Sequence, residues 1–251
     1  MSTAPREPMS TALIARGISV KYGPRRIFSD LDVSVDTGRL TALLGPNGAG
    51  KSSLLRVLAG VQAPSSGTVE RHARAALIAT ASSLPPDVTP AQLAGYLVAL
   101  RAPWWRLQRS AEERSAIAAA LKQTGLSERA DDPAANLSTG ELQRAWIAAA
   151  LASGAGALLI DEPTTHLDVR YQLDVLRMLK VLARSGRAVF VAIHDLTLAA
   201  RFADSVALLA GGALQVGSPQ SVISSETLAP AFGVDIDVHN DAEGNIVCVP
   251  R

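Results

Sequence analysis

Gly45-Pro-Asn-Gly-Ala-Gly-Lys-Ser52 lies between Arg39-Leu-Thr-Ala-Leu-Leu44 and Ser53-Leu-Leu-Arg-Val-Leu-Ala-Gly60. It fits the pattern Gly, four residues, Gly-Lys-Ser/Thr, whose backbone cradles nucleotide phosphates. The apolar run before it reads as a short buried strand, and the run after it as a helix. Glycines at 45, 48 and 50 let the backbone turn tightly and aim its N–H groups at phosphate oxygens. The helix start adds the positive end of its dipole. The reading therefore places Gly45, Pro46, Asn47, Gly48, Ala49, Gly50, Lys51, Ser52 and Ser53 at a bound nucleotide. Lys51 is expected at the β- and γ-phosphates, and the Ser52 hydroxyl at a Mg²⁺ ion.

The chain has 251 residues, 48% hydrophobic and 19% charged, so one large α/β domain with a substantial core is expected. A formal charge of +1 gives no general attraction to nucleic acid or acidic lipid. The single cysteine, Cys248, excludes an internal disulfide and fits a reducing cytosol. Residues 145–160 are uncharged and apolar, but too short for a membrane span of about 20 residues. Residues 1–11 are polar, lack the apolar core of a signal peptide, and read as a disordered tail.

Further motifs follow in order. Leu137-Ser-Thr-Gly-Glu-Leu-Gln-Arg144 opens a helical stretch. Ser138 and Glu141 form a capping box, leaving a helix N-terminus able to hold an anion. Ala157-Leu-Leu-Ile160 is a strand ending in Asp161-Glu162-Pro163, and Thr164-Thr-His-Leu-Asp168 follows it. Beyond a helix, the buried strand Ala188–Ile193 ends in His194-Asp195, at the strand edge where open α/β sheets bind ligands. Asp195 also reads as the N-cap of the next helix.

Taken as a set, these motifs resemble the ATP-binding subunits of ABC transporters, from about residue 12 to the C-terminus. The resemblance implies an α/β P-loop NTPase fold, a mixed sheet with helices, carrying an inserted helical subdomain over about 86–137 and a C-terminal hairpin over about 233–251. It implies ATP and Mg²⁺ as ligands. Asp161 would hold Mg²⁺ through its water shell, Glu162 would orient or deprotonate the attacking water, and His194 would contact the γ-phosphate, with Lys51 at the phosphates. Tyr22, at a strand end, stands where the family stacks an aromatic on adenine; a tyrosine capping a sheet edge is the plainer reading. Ser138, Thr139, Gly140 and Asp168 would meet the nucleotide held by a second copy in a head-to-tail homodimer.

Two positions depart from the pattern. Thr139 stands where glycine is usual. Ser82 stands where a glutamine normally touches Mg²⁺ and the attacking water. The shorter serine reaches metal only through a water or an inward shift of its loop, which bears on hydrolysis and coupling rather than on nucleotide binding. Trp104-Trp105, beside Arg101 and Arg106, suit either a docking surface or the core of the helical subdomain. His72 and His166 read as local loop residues. His239, Asp241 and Glu243 read as a polar turn.

By resemblance the partners are transmembrane permease subunits and a solute-binding protein, with the chain peripheral on the cytoplasmic side of the inner membrane. Neither nucleic acid nor direct membrane insertion is expected. Arg144-Ala-Trp-Ile-Ala, Pro163-Thr-Thr-His-Leu-Asp and the C-terminal hairpin look like iron-siderophore, haem and cobalamin importers. The short segment over 67–79 looks more like zinc or manganese importers. A soluble ABC ATPase and a weakly catalytic nucleotide-binding module are the rival classes.

Overall fold

The computed structural model describes residues 10–79, 84–100, 108–164 and 168–251. Ser82, Trp104, Trp105 and His166 lie outside the described residues, as do residues 1–9 of the expected tail. Ser10 and Thr11, read as part of that tail, belong to the fold. Strand β1 (Thr11–Tyr22) already starts at Thr11, whose hydroxyl donates to Asp36 Oδ1 (3.0 Å), and the Ser10 carbonyl accepts the Thr37 N–H (2.9 Å).

β1 pairs antiparallel with β2 (Arg25–Asp36) across a two-residue Gly23-Pro24 turn, so that Tyr22 and Arg25 are cross-strand partners at the hairpin tip. β3 (Leu40–Leu44) leads through the glycine-rich loop into α1 (Lys51–Ala59). β4 (Ser66–Arg71) completes an antiparallel sheet of order β2-β1-β4. β5 (Ala75–Ala79) returns to the main sheet, and α2 (Pro90–Ala99), α3 (Ala111–Gln123) and α4 (Thr139–Ala152) follow.

β6 (Ala157–Asp161), α5 (Val169–Arg184), β7 (Ala188–Ala192) and α6 (Leu196–Phe202) build the centre. β8 (Ser205–Ala210) and β9 (Ala213–Gly217) close a six-stranded sheet of order β5-β6-β7-β3-β8-β9. All its pairings are parallel except β8 with β9. The stretch 219–232 holds two short helices, α7 (Pro219–Val222) and α8 (Ser225–Phe232). Ser218 and Ser224 each cap a separate turn, accepting from the Ser221 and Thr227 amides. A hairpin of β10 (Ile236–Asn240) and β11 (Ile246–Pro250) ends the chain. It packs on α6 and α8, and Cys248 N–H donates to Thr197 Oγ1 (3.1 Å). At its turn Asp241 accepts N–H bonds from Glu243 and Asn245.

Strand alternation divides the core into two layers. On one face Leu40, Ala42 and Leu44 of β3, Leu158 and Ile160 of β6, and Val189 and Val191 of β7 pack toward the helices. On the other, Leu43, Leu159 and Phe190 pack toward α1 and the β1-β2-β4 sheet. Both faces of β3 and β7 are therefore covered, which is why these strands read as unbroken apolar runs. The helices α2 and α3 pack on α4. Thr89 caps α2 with Pro90 in its first turn, and Gln92 completes a capping box.

Phe190 is fully buried in the central strand β7. Phe190→Ala should destabilise the fold by about 3–5 kcal/mol, the scale of a phenyl cavity. Urea unfolding would show this as a lowered midpoint with an unchanged slope.

Candidate functional site

Parallel register assembles the site. Asp161 pairs with Ala192 across β6 and β7, and Leu43 pairs with Ala192 across β3 and β7. Ile193 N–H donates to the Leu43 carbonyl (3.2 Å). The ends of three neighbouring strands are thus level, and the residues that follow them, Glu162, His194 and Gly45, emerge along one edge. β5 ends at the same level, with Ala79 opposite Asp161.

Within the loop, Gly45 has φ +150°, and a Cβ there would run into the Leu209 carbonyl oxygen. Gly50 caps α1 at φ +106° with no side-chain hydrogen bond, and α1 has no acidic residue in its first turn. Its first N–H groups are left for an external anion. Lys51 is only 5% exposed. Its ammonium donates to the Gly45 carbonyl (2.7 Å) and the Pro46 carbonyl (3.2 Å). Burial pushes its pKa below the usual 10.5, while the Glu162 and Asp161 carboxylates act in the opposite direction.

Glu162 adopts φ +53°, a left-handed conformation unusual for a residue with a Cβ. Strain of this kind persists where surrounding contacts over-determine it. His194 Nε2 stands 2.6 Å from Glu162 Oε1 and joins the two strand ends. Tyr22 donates its hydroxyl proton to Gln62 Oε1 (2.8 Å) and lies 3.2 Å from Ser53 Oγ. That contact ties the hairpin tip to α1.

A cavity of about 340 Å³ collects Tyr22, Asn47, Gly48, Gly50, Lys51, Ser52, Ser53 and Glu162, with Arg25 and Ile27 from β2. Backbone N–H groups, a buried cation and a glycine cradle suit a polyphosphate. The Ser52 hydroxyl and Asp161 carboxylate are hard oxygen donors suited to Mg²⁺.

Ser138, Thr139 and Gly140 do not line this cavity. They lie at the start of α4. The Ser138 amide donates to Glu141 Oε2 (2.8 Å), and the Glu141 amide donates to Ser138 Oγ (3.3 Å). Thr139 is exposed, and Gly140 is buried against Tyr171 of α5. Asp168 caps α5 by accepting the Tyr171 N–H (3.1 Å). The signature turn and Asp168 are therefore joined through Tyr171, which the sequence reading did not single out. It also missed Arg129, which donates to Glu141 Oε1 (3.1 Å), Asp132 Oδ2 (2.5 Å) and the Asn136 carbonyl (2.8 Å). No local pattern announces either residue, since both act across loops.

Fold and loop together define a P-loop nucleotide-binding domain. The family model described as ABC transporter matches residues 28–165, more than half the chain. Among curated relatives, the iron(3+)-hydroxamate import ATP-binding protein of Bacillus subtilis is 34% identical over 93% of this chain and 92% of its own. The hemin import ATP-binding protein of Streptomyces coelicolor is 38% identical over 98% and 92%. A chain of a solved ABC transporter, described as inward-facing and of the metal-chelate type, superposes with a TM-score of 0.88 at 25% identity, covering 96% of this chain and 98% of that one. The chain belongs to the ABC transporter family.

Glu141 supplies a pH test of the signature cap. Burial would raise its pKa, but the Ser138 amide and hydroxyl and the Arg129 and Arg144 guanidinium groups outweigh it and hold the carboxyl below the usual 4.5. A depressed carboxylate stabilises the fold above its unfolded pKa and loses that contribution as pH falls through the folded value. Glu141→Gln should therefore be less stable than wild type at pH 7 by about 1 kcal/mol, the scale of a lost cap. The gap should shrink below about pH 4.5. Denaturant titrations at both pH values measure it.

Proposed function

We propose that this chain is the ATP-hydrolysing subunit of an ABC importer, and that the importer carries a metal chelate such as a ferric siderophore or haem. The observation that carries the reading is the convergence of Lys51, Asp161, Glu162 and His194 at the level ends of three parallel strands. The iron-hydroxamate and hemin import ATP-binding relatives support the ATP and import parts. They and the metal-chelate neighbour support the cargo class.

ATP is the substrate. The backbone of Gly45–Ser53 holds its phosphates, and Lys51 exchanges its loop carbonyls for phosphate oxygens. Tyr22 receives the base. Ser52 and Asp161 would hold Mg²⁺, which supplies neutralisation of phosphate charge when bound. Glu162 orients the attacking water and accepts its proton. His194 fixes the Glu162 carboxylate before the nucleotide arrives and is placed to turn toward the γ-phosphate. The cavity of one chain contains no signature residue, which supports a site completed by Ser138, Thr139, Gly140 and Asp168 of a second, head-to-tail copy. Permease subunits and a solute-binding protein would complete the transporter. Among the described residues no helix is long and apolar enough to cross a membrane. We place the chain as a peripheral subunit on the cytoplasmic face.

Lys51→Ala should weaken ATP binding at least tenfold, about 1.4 kcal/mol. Glu162→Gln should keep binding and lower turnover by about 100-fold or more, the scale of a lost general base. Equilibrium binding and phosphate release, measured with permease present, separate the two effects. Equal and negligible turnover in wild type and Glu162→Gln would remove the catalytic part of this reading. Uptake of labelled ferric hydroxamate and haem by cells with and without the chain tests the cargo.

A further inference from the structure

The nucleotide cavity has a cation that none of the motifs accounts for. Arg25 is the cross-strand partner of Tyr22, joined to it by the two-residue turn Gly23-Pro24. Cross-strand partners present their side chains on the same face of a hairpin. The Tyr22 hydroxyl is tied to Gln62 and Ser53, so that face is the one turned to the phosphate loop. Arg25 and Tyr22 accordingly line the same cavity as Asn47, Lys51 and Ser52. Arg26 pairs with Lys21 and alternates to the other face. It does not line the nucleotide cavity; it borders a neighbouring space that Arg25 also touches.

The charge balance of the cavity gives Arg25 a task. Of the residues lining it, only Lys51 and Arg25 are cationic, and Glu162 is anionic. Lys51 is buried and already bonded to two loop carbonyls. Arg25 is exposed, and its guanidinium forms no hydrogen bond or ion pair with a described residue. A guanidinium is always charged and presents a fork of donors that matches phosphate oxygens.

We propose that Arg25 is a second phosphate-binding cation of the nucleotide site, reaching the phosphate chain from the hairpin tip while the loop and Lys51 hold it from below. The assignment rests on the nucleotide-binding reading above. The affinity of the purified full chain for MgATP, measured at low and high ionic strength, tests it in Arg25→Gln, Arg25→Lys and Arg26→Gln. Arg25→Gln should raise Kd about tenfold at low salt, as for loss of one charged hydrogen-bonding partner. The gap should narrow at high salt, because an exposed charge is screened. Arg25→Lys should recover part of the loss, and Arg26→Gln should shift Kd less than Arg25→Gln. A Kd within about twofold of wild type, a loss equal to that of Arg26→Gln, or a loss undiminished by salt overturns the assignment of Arg25 alone. Failure of wild type to bind MgATP, or an unchanged affinity in Lys51→Ala, overturns the nucleotide reading itself.

Discussion

The parallel hydrogen-bond register of β6, β7 and β3 is the constraint on which the rest of the site depends. Strands that end level present the residues just beyond them side by side: Glu162 one residue after β6, Gly45 one after β3 and His194 two after β7. A shift of one residue in any strand would exchange the side chains of the two core layers as well as misplace the chemistry. Burial on both faces holds that register, because Leu43 and Phe190 face one layer while Ala42 and Val191 face the other. Stability of the sheet and geometry of the site are one property.

Polar groups at this edge are held by partners that must be given up when a nucleotide enters. Lys51 bonds loop carbonyls, and His194 bonds Glu162, whose backbone is left-handed. Buried or strained groups of this kind are costly unless something compensates them. Phosphate oxygens would offer Lys51 a charged partner in place of neutral carbonyls. This arrangement keeps Lys51, Glu162 and His194 in place.

The start of α4 is built to different demands. Its capping box, Arg129 and the packing of Tyr171 on Gly140 fix a helix N-terminus away from the chain's own phosphate loop. Thr139, which replaces the smaller glycine of the pattern, is exposed on that turn, so its side chain costs no packing within the chain. Its effect would be felt only where another molecule approaches. In the proposed head-to-tail pair, such a turn would complete the partner's site and so tie chemistry to association.

Much of this was legible from local pattern. The glycine loop, the capping residues Thr89, Ser138 and Asp195, and the apolar runs of β3, β6 and β7 are set by steric and hydrogen-bonding rules acting over a few residues. These rules located the strand ends and hence Lys51, Asp161, Glu162 and His194. The two helices within 219–232 are not separable by local pattern, because their serine caps lie only six residues apart. The extra length of β1 escaped notice because pairing with Asp36 depends on a distant strand. Sequence alone determined where the glycine loop, the helix after it and the strand ends that carry Lys51, Asp161, Glu162 and His194 lie, since backbone and side-chain type decide that locally. Only the tertiary structure decided that His194 meets Glu162, that Tyr171 covers Gly140 and that Arg25 joins the cavity. Those contacts arise from strand register and hairpin geometry, which bring together residues the chain keeps apart.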